Sequence, residues 1–139
     1  MKIEFRDLWL AISLIVGFQL TLFQWRIDRE ARMVEREPKE MSWLPPSDWV
    51  GGLSMLCLVG GGIMLPAIGL IDEGRTTQRL FGLGTLLAIA QIIGLAGHYE
   101  LFTIKVRSKA FFPLQERIVL AIFALLTAWY CWRAWIVDS

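Results

Sequence analysis

The sequence contains one histidine and two cysteines, and no charged residue lies near the centre of any of its long apolar stretches. One histidine excludes a bis-histidine haem site, and no pair of carboxylates is spaced for acid and base catalysis. Proton-coupled carriers and intramembrane hydrolases commonly hold an ionisable group inside the membrane. These absences argue against a transporter or an intramembrane enzyme, and we expect neither a metal site nor a cofactor.

Charge is also scarce, because Lys, Arg, Asp and Glu make up only 19% of the residues and the formal net charge is +1. The basic residues do not form one large block, so we expect no nucleic-acid partner. Hydrophobic residues make up 55% of the chain, which is too apolar for an ordinary soluble domain. The composition therefore predicts a single membrane domain over residues 1–139 and a lipid bilayer as its surroundings.

Four apolar stretches are each long enough to cross a bilayer as a helix. The predicted spans are residues 8–25, 49–71, 80–99 and 114–137. We expect Asp7 to cap the first helix and Ser47 or Asp48 to cap the second. The polar segment after residue 71 is short, so the second and third helices should form an antiparallel hairpin. The prediction is an all-α integral membrane protein, a four-transmembrane-helix bundle.

The first helix is expected to continue beyond the membrane through the charged stretch 26–37, since nothing in this stretch breaks a helix. Arg26 with Glu30 and Asp28 with Arg32 are spaced as i, i+4 ion pairs. A helix of roughly 30 residues would be about 45 Å long at 1.5 Å per residue. We expect this stalk to extend into the cytoplasm, where it either docks a soluble partner or is only a solvated face.

Basic residues in the stalk and in the loop at 100–113 are the candidate contacts for a partner or for anionic lipid. They are Arg26, Arg29, Arg32, Arg36, Lys105, Arg107 and Lys109. Residues 101–109 alternate apolar and polar side chains as a strand does, although the same residues could extend the third helix. Lys and Arg are more frequent in the loops 26–48 and 100–117, so the positive-inside rule places these loops in the cytoplasm and both termini on the other side of a plasma or inner membrane.

The second and third spans are rich in small residues, which allow close approach of helices in a membrane. The expected helix-packing positions are Ser54, Cys57, Gly61, Gly62, Pro66, Gly69, Gly84, Ala88 and Gly94. The first six of these positions form two stripes on the second helix, one of Ser54, Cys57 and Gly61 and one of Gly62, Pro66 and Gly69. Two stripes indicate two neighbours, either in the same chain or in another chain. Pro66 cannot donate a hydrogen bond to the carbonyl of Gly62, so we expect a kink there. The kink is interpreted either as a hinge or as an ordinary transmembrane proline.

Three polar residues, Gln19, Gln91 and His98, lie in or beside the predicted spans. Gln19 and Gln91 have comparable depths on helices that should be parallel, which predicts that their amides approach each other. Gly84, Ala88, Gln91 and His98 fall close to one face of the third helix. This face either lines a pore or contributes an interhelical hydrogen bond.

The leading hypothesis is a non-catalytic small polytopic membrane subunit that assembles through its glycine-rich faces, with copies of itself or in a larger complex. Its cytoplasmic stalk would anchor or sense a soluble protein partner. The alternative is a homo-oligomeric channel or a membrane-permeabilising pore lined by the face that carries Gly84, Gln91 and His98. A third hypothesis is an interfacial enzyme that uses His98, Tyr99 and Glu100, although such a group is also typical of an amphipathic membrane boundary.

Overall fold

Four long helices make up the computed structural model, which describes residues 5–36, 44–72, 74–99 and 112–137, without the side chains of residues 5, 33, 34 and 36. The helices are α1 (Phe5–Arg36), α2 (Pro46–Ala67), α3 (Arg75–His98) and α4 (Leu114–Val137). Each contains a stretch that is long and apolar enough to cross a membrane, and the described residues include no strand. The prediction of an all-α chain with four such helices is confirmed.

The start of α2 differs from the prediction. The helix begins at Pro46 and has Pro45 as its N-cap, because proline has a helical φ and needs no hydrogen-bond acceptor in the first turn. Ser47 and Asp48, which we expected to cap this helix, therefore lie inside its first turn. Asp7 likewise lies within α1, which already includes Phe5. The predicted caps are wrong at both helices.

The middle of α2, Leu56–Met64, is a π-helix. Directly after it, the N–H of Leu65 donates to the carbonyl of Gly60, five residues earlier. Local π-helical geometry is one way in which a membrane helix accommodates proline. The structure thus has a π-helical stretch on the N-terminal side of Pro66, and the kink expected there stays a prediction.

A left-handed turn ends α2. Gly69 has a φ of 72°, which favours glycine. The N–H of Leu70 donates to the carbonyl of Leu65 (3.0 Å), and the N–H of Gly69 donates to that of Pro66 (2.9 Å), which is a Schellman motif. The prediction that Gly69 packs against a neighbouring helix is wrong, because it follows the helix and a Cβ added to it would meet nothing within 4 Å.

Helix α3 is central and contacts each of the other three helices. It is antiparallel to α2, since Gly94 near its end lies against Ser47, whereas Leu80 near its start lies against Gly61. It begins at Arg75 rather than at residue 80, so the polar residues before Leu80 form its first turns. The predicted hairpin of α2 and α3 is confirmed.

The glycine-rich faces pack within the chain. A Cβ added to Gly61 would lie 2.6 Å from Leu80 on α3, and one added to Gly62 would lie 2.6 Å from Ile12 on α1. A Cβ at either position would force the facing leucine or isoleucine side chain to move, so glycine favours these close approaches. The two small-residue stripes of α2 therefore have the two predicted neighbours, and both belong to the same chain.

Large apolar side chains cover the outside of the bundle. The buried hydrophobic core is small and centres on Leu8, Ile12 and Leu58. By contrast, Leu10 on α1 and Leu125 on α4 are 65% and 73% exposed. This distribution is the one that a lipid environment favours, because no water has to be excluded from the outer surface.

Candidate functional site

Polar side chains from all four helices meet at one end of the bundle, where α1 extends past the other helices and α2 and α4 begin. Each has no more than 7% of its surface exposed. We call this group the polar layer, and its members are Arg26, Glu30, Ser47, Asp48, His98, Tyr99 and Glu116. Buried polar groups of this kind are stable only when they pair with one another.

Glu116 connects three helices. Its Oε1 accepts hydrogen bonds from the backbone N–H of Ser47 (3.0 Å) and from the Ser47 hydroxyl (2.5 Å), and its Oε2 lies 2.8 Å from His98 Nδ1. Ser47 is in the first turn of α2, where backbone N–H groups lack partners within the helix. The carboxylate of α4 thus caps α2 from outside, in place of a side chain at Pro45.

Two glycines of α3 make this arrangement possible. A Cβ added to Gly97 would lie 3.0 Å from the backbone nitrogen of Glu116, and one added to Gly94 would lie 2.4 Å from the Ser47 hydroxyl. The absence of a side chain at both positions lets α2 and α4 approach α3 closely. Gly94 was predicted as a helix-packing position, and its contact is with the polar layer.

An ion pair joins α1 to α2. The guanidinium of Arg26 lies 2.6 Å from Asp48 Oδ2, and both side chains are almost fully buried. Among the described residues, Asp48 Oδ1 has no hydrogen-bond partner. Removing one member of such a buried pair costs more than the pair itself contributes, because the other charge is then left without a partner.

Tyr99 links the end of α3 to α1. Its hydroxyl donates to Glu30 Oε1 (3.1 Å), and the guanidinium of Arg29 lies 4.0 Å from the centre of its ring. Trp25 packs edge-on against the same ring at 6.2 Å. Burial, together with the negative charge of Glu30, raises the pKa of Tyr99 to about 12. The phenol therefore remains a neutral hydrogen-bond donor at physiological pH.

A second polar contact lies one layer deeper in the bundle. Gln19 Nε2 donates to Gln91 Oε1 at 2.8 Å, so the predicted approach of the two amides is confirmed. The hydroxyl of Ser54 donates to the carbonyl of Gly84 at 2.7 Å and lies 3.5 Å from Gln19 Oε1. A Cβ added to Gly51 would lie 2.3 Å from the Gln91 amide, so this glycine makes room for it.

No family model, curated protein or solved structure matches this chain. The polar layer and the pair of amides are therefore interpreted from their own geometry.

That geometry links the four helices through buried polar contacts. The hydroxyl of Ser47 donates to the carboxylate of Glu116, which also accepts the backbone N–H of the same residue. Among the described residues, no three His, Cys, Asp or Glu side chains are arranged to hold a metal ion. The polar layer can fix the relative positions of the four helices, and it buries charged side chains away from water.

The α3 face of the pore hypothesis is packed against the chain's own helices. Gly84 lies against Leu58, Gln91 against Gln19, and His98 against Glu116. Ala88 has 3% of its surface exposed. These residues thus face neighbouring helices of the same chain.

The charged stretch of α1 is helical through Arg36, as predicted, but it is not solvated on all sides. Arg26 and Glu30 are buried in the bundle, which corrects the assignment of Arg26 to a partner-binding surface. Asp28 and Arg32 form the predicted i, i+4 ion pair on the exposed side. Several predicted positions lie outside the described residues or side chains, namely Arg36, Glu100, Lys105, Arg107 and Lys109.

Sequence reasoning did not identify Ser47, Asp48 and Glu116 as one site. A signal was present, because a carboxylate in the first turn of an otherwise apolar helix is expensive in a membrane unless it is paired. Asp48 and Glu116 both occupy such first-turn positions. The sequence alone does not show that these residues, which are far apart in the chain, lie close together in space.

Proposed function

We propose that the protein is a non-catalytic membrane subunit that presents the charged end of α1 to a soluble protein partner. The observation that supports this proposal is the division of that helical end into two faces. Arg26 and Glu30 lie on the inner face and are buried. Asp28 and Arg32 lie on the outer face with 61% and 67% of their side chains exposed.

The inner face fixes the direction in which the end of α1 projects. Arg26 binds Asp48 of α2, and Glu30 accepts a hydrogen bond from Tyr99 after α3. A helix held at two successive turns cannot swing freely about its membrane segment. Less conformational entropy is then lost when a partner binds, which is the advantage of a preorganised surface.

The outer face supplies the side chains that would contact a partner. Gln24, Asp28, Ala31, Arg32 and Glu35 are all exposed, and their spacing places them on one side of the helix. This face combines both signs of charge with few apolar side chains. We infer a partner with a polar, mixed-charge surface, bound at the side of the membrane that the positive-inside rule assigns to the cytoplasm.

Assembly with other membrane chains, whether copies of this chain or other subunits, would use the outer lipid-facing surface. The glycine-rich faces are already occupied within the chain, so the earlier hypothesis that they join separate chains loses its basis. The alternative of a pore lined by Gly84, Gln91 and His98 is not favoured either, since these residues are packed against α1, α2 and α4. The proposed surroundings remain a plasma or inner membrane.

The test is the mass and protein composition of the particle after gentle detergent extraction from its native host. We expect a second protein to co-purify with the tagged chain, and Arg32→Glu to release it. Arg6→Glu is the matched control, because Arg6 is an exposed arginine at the opposite end of the same helix. A bare monomer, or equal loss of the second protein with both variants, would refute the proposal.

A further inference from the structure

A second charged site lies at the end of the bundle opposite the polar layer. There, α3 and α4 enclose a cleft of about 600 Å³. The start of α3 and the end of α4 form its walls, which are lined by Arg75, Gln78, Arg79, Tyr130, Arg133, Ala134 and Val137. The cleft is independent of the proposed partner-binding face of α1.

The described lining of this cleft is strongly positive. Arg75, Arg79 and Arg133 contribute three guanidinium groups, and the described lining residues include no carboxylate. Guanidinium is always charged in proteins, and its planar set of donors matches the oxygens of a phosphate group. The N-terminal end of α3 adds partial positive charge from the same direction, and its N-cap, Gly74, supplies no side chain to cap it.

The walls of the cleft are held in position by Tyr130. Its hydroxyl donates to the backbone carbonyl of Arg79 at 2.9 Å. Gly82 makes this contact possible, since a Cβ there would lie 2.2 Å from the tyrosine oxygen. Trp135 packs edge-on against Tyr130 at 6.2 Å, and the guanidinium of Arg79 lies 6.0 Å from the centre of the Trp135 ring. The arginine is thus partly oriented before any ligand binds.

The position of the cleft indicates which kind of anion would bind there. Arg75 begins one candidate membrane span and Val137 ends another, so the cleft lies where these two helices would leave the bilayer. Lipid headgroups occupy this depth in either leaflet, and their phosphate oxygens are acceptors for guanidinium groups. Exposed apolar side chains beside the cleft, Ile136 and Val137, offer a surface for acyl chains.

We propose that the cleft between α3 and α4 binds the phosphate group of an anionic phospholipid through Arg75, Arg79 and Arg133. The guanidinium groups bind the phosphate oxygens, while the acyl chains remain outside in the bilayer. A soluble phosphate carries the same oxygens, and the two sources are separated experimentally.

The experiment is native mass spectrometry of the full chain after its release from nanodiscs that contain phosphatidylglycerol and phosphatidylcholine in equal amounts. We expect selective retention of phosphatidylglycerol. The double variant Arg75→Gln/Arg79→Gln should lower that retention about thirtyfold, since each basic residue near the surface contributes separately. Arg117→Gln is the matched control and should retain the lipid, because Arg117 is an exposed arginine at the other end of α4.

Circular dichroism of each variant shows whether the helices are intact. Arg79→Lys is a second test of lipid binding. Lysine keeps the charge but not the planar donor set, so we expect a smaller loss than with glutamine. Equal retention of both lipids, or unchanged retention in the double variant, would overturn the proposal. Protection from thermal unfolding by inorganic phosphate, without any by phosphatidylglycerol, would overturn the assignment to lipid.

Discussion

Replacing Glu116 tests whether the polar layer holds the helices together. Glu116→Ala removes the acceptor for the Ser47 N–H and hydroxyl and the partner of His98 Nδ1, all of which are buried. Hydrogen bonds to a charged group contribute about 1.5–3 kcal/mol each in water-soluble proteins. Interhelical hydrogen bonds in membranes are weaker, averaging about 0.6 kcal/mol, and neighbouring contacts do not add. We therefore expect a loss of about 3 kcal/mol.

The conservative variant separates charge from shape. Glu116→Gln keeps an acceptor for Ser47 but loses the carboxylate beside His98, so its expected loss is about 1 kcal/mol. Leu125→Ala on the same helix is the control, because Leu125 is 73% exposed and faces away from the bundle. The free energy of unfolding is measured by denaturant titration in mixed micelles. Equal values for Glu116→Ala and Leu125→Ala, within about 0.5 kcal/mol, would refute the structural role of Glu116.

Four further variants each change a single residue. Gly51→Ala should destabilise the bundle by about 2 kcal/mol, because its Cβ would collide with the buried glutamine amide of α3. The adjacent Gly52→Ala should be neutral or stabilise the bundle by up to about 1 kcal/mol, since its Cβ meets nothing within 4 Å. The midpoints of thermal unfolding of the two variants should therefore differ. Equal midpoints would contradict the packing of Gly51 against Gln91. Gly69→Ala should cost about 1 kcal/mol in the same assay through its positive φ, and no change would contradict the left-handed turn. The pKa of Tyr99 rises from 10.0 to about 12 on folding, so its contribution to stability is complete below pH 10 and is lost as the pH rises towards 12. Tyr99→Phe removes the hydrogen bond to Glu30, so the free energy of unfolding should fall by about 1 kcal/mol at pH 8. The variant should also lose less stability than the original protein between pH 10 and 12. An unchanged dependence of stability on alkaline pH would contradict this account.

The parts of the fold that depend on local pattern were predictable. The four apolar stretches are long enough to span a bilayer, and each became a helix. The contact of Gln19 with Gln91 followed from their equal depth on parallel helices. Both predictions need only the rise of a helix and the direction in which each helix runs.

Helix ends were harder to predict, because proline and glycine have several uses. Ser47 or Asp48 was expected to cap the second helix, yet α2 already begins at Pro46. Gly69 was assigned to a packing face because of its spacing, whereas its positive φ ends the helix. The sequence pattern does not show whether a proline or glycine begins a helix, ends it or packs against a neighbour, because the same neighbouring residues are compatible with each role.

The polar layer could not be assembled from the sequence. Ser47, His98 and Glu116 are far apart in the chain, and no motif connects them. The same limit applied to the glycine faces, since pairing within a chain and pairing between chains require the same small residues. Contacts such as those of Ile12 with Gly62 and of Leu80 with Gly61 show that these faces pair within the chain.

The linkage through Glu116 also imposes an order on biogenesis. Ser47 and His98 are synthesised before Glu116, which belongs to the last of the four helices. Until α4 is inserted beside them, the first turn of α2 and the imidazole of α3 lack the acceptor that they have in the finished bundle. Buried polar groups without a partner are costly, so α2 and α3 gain their full stability only when α4 packs beside them. Packing of α4 thus completes the hydrogen bonds of the earlier helices.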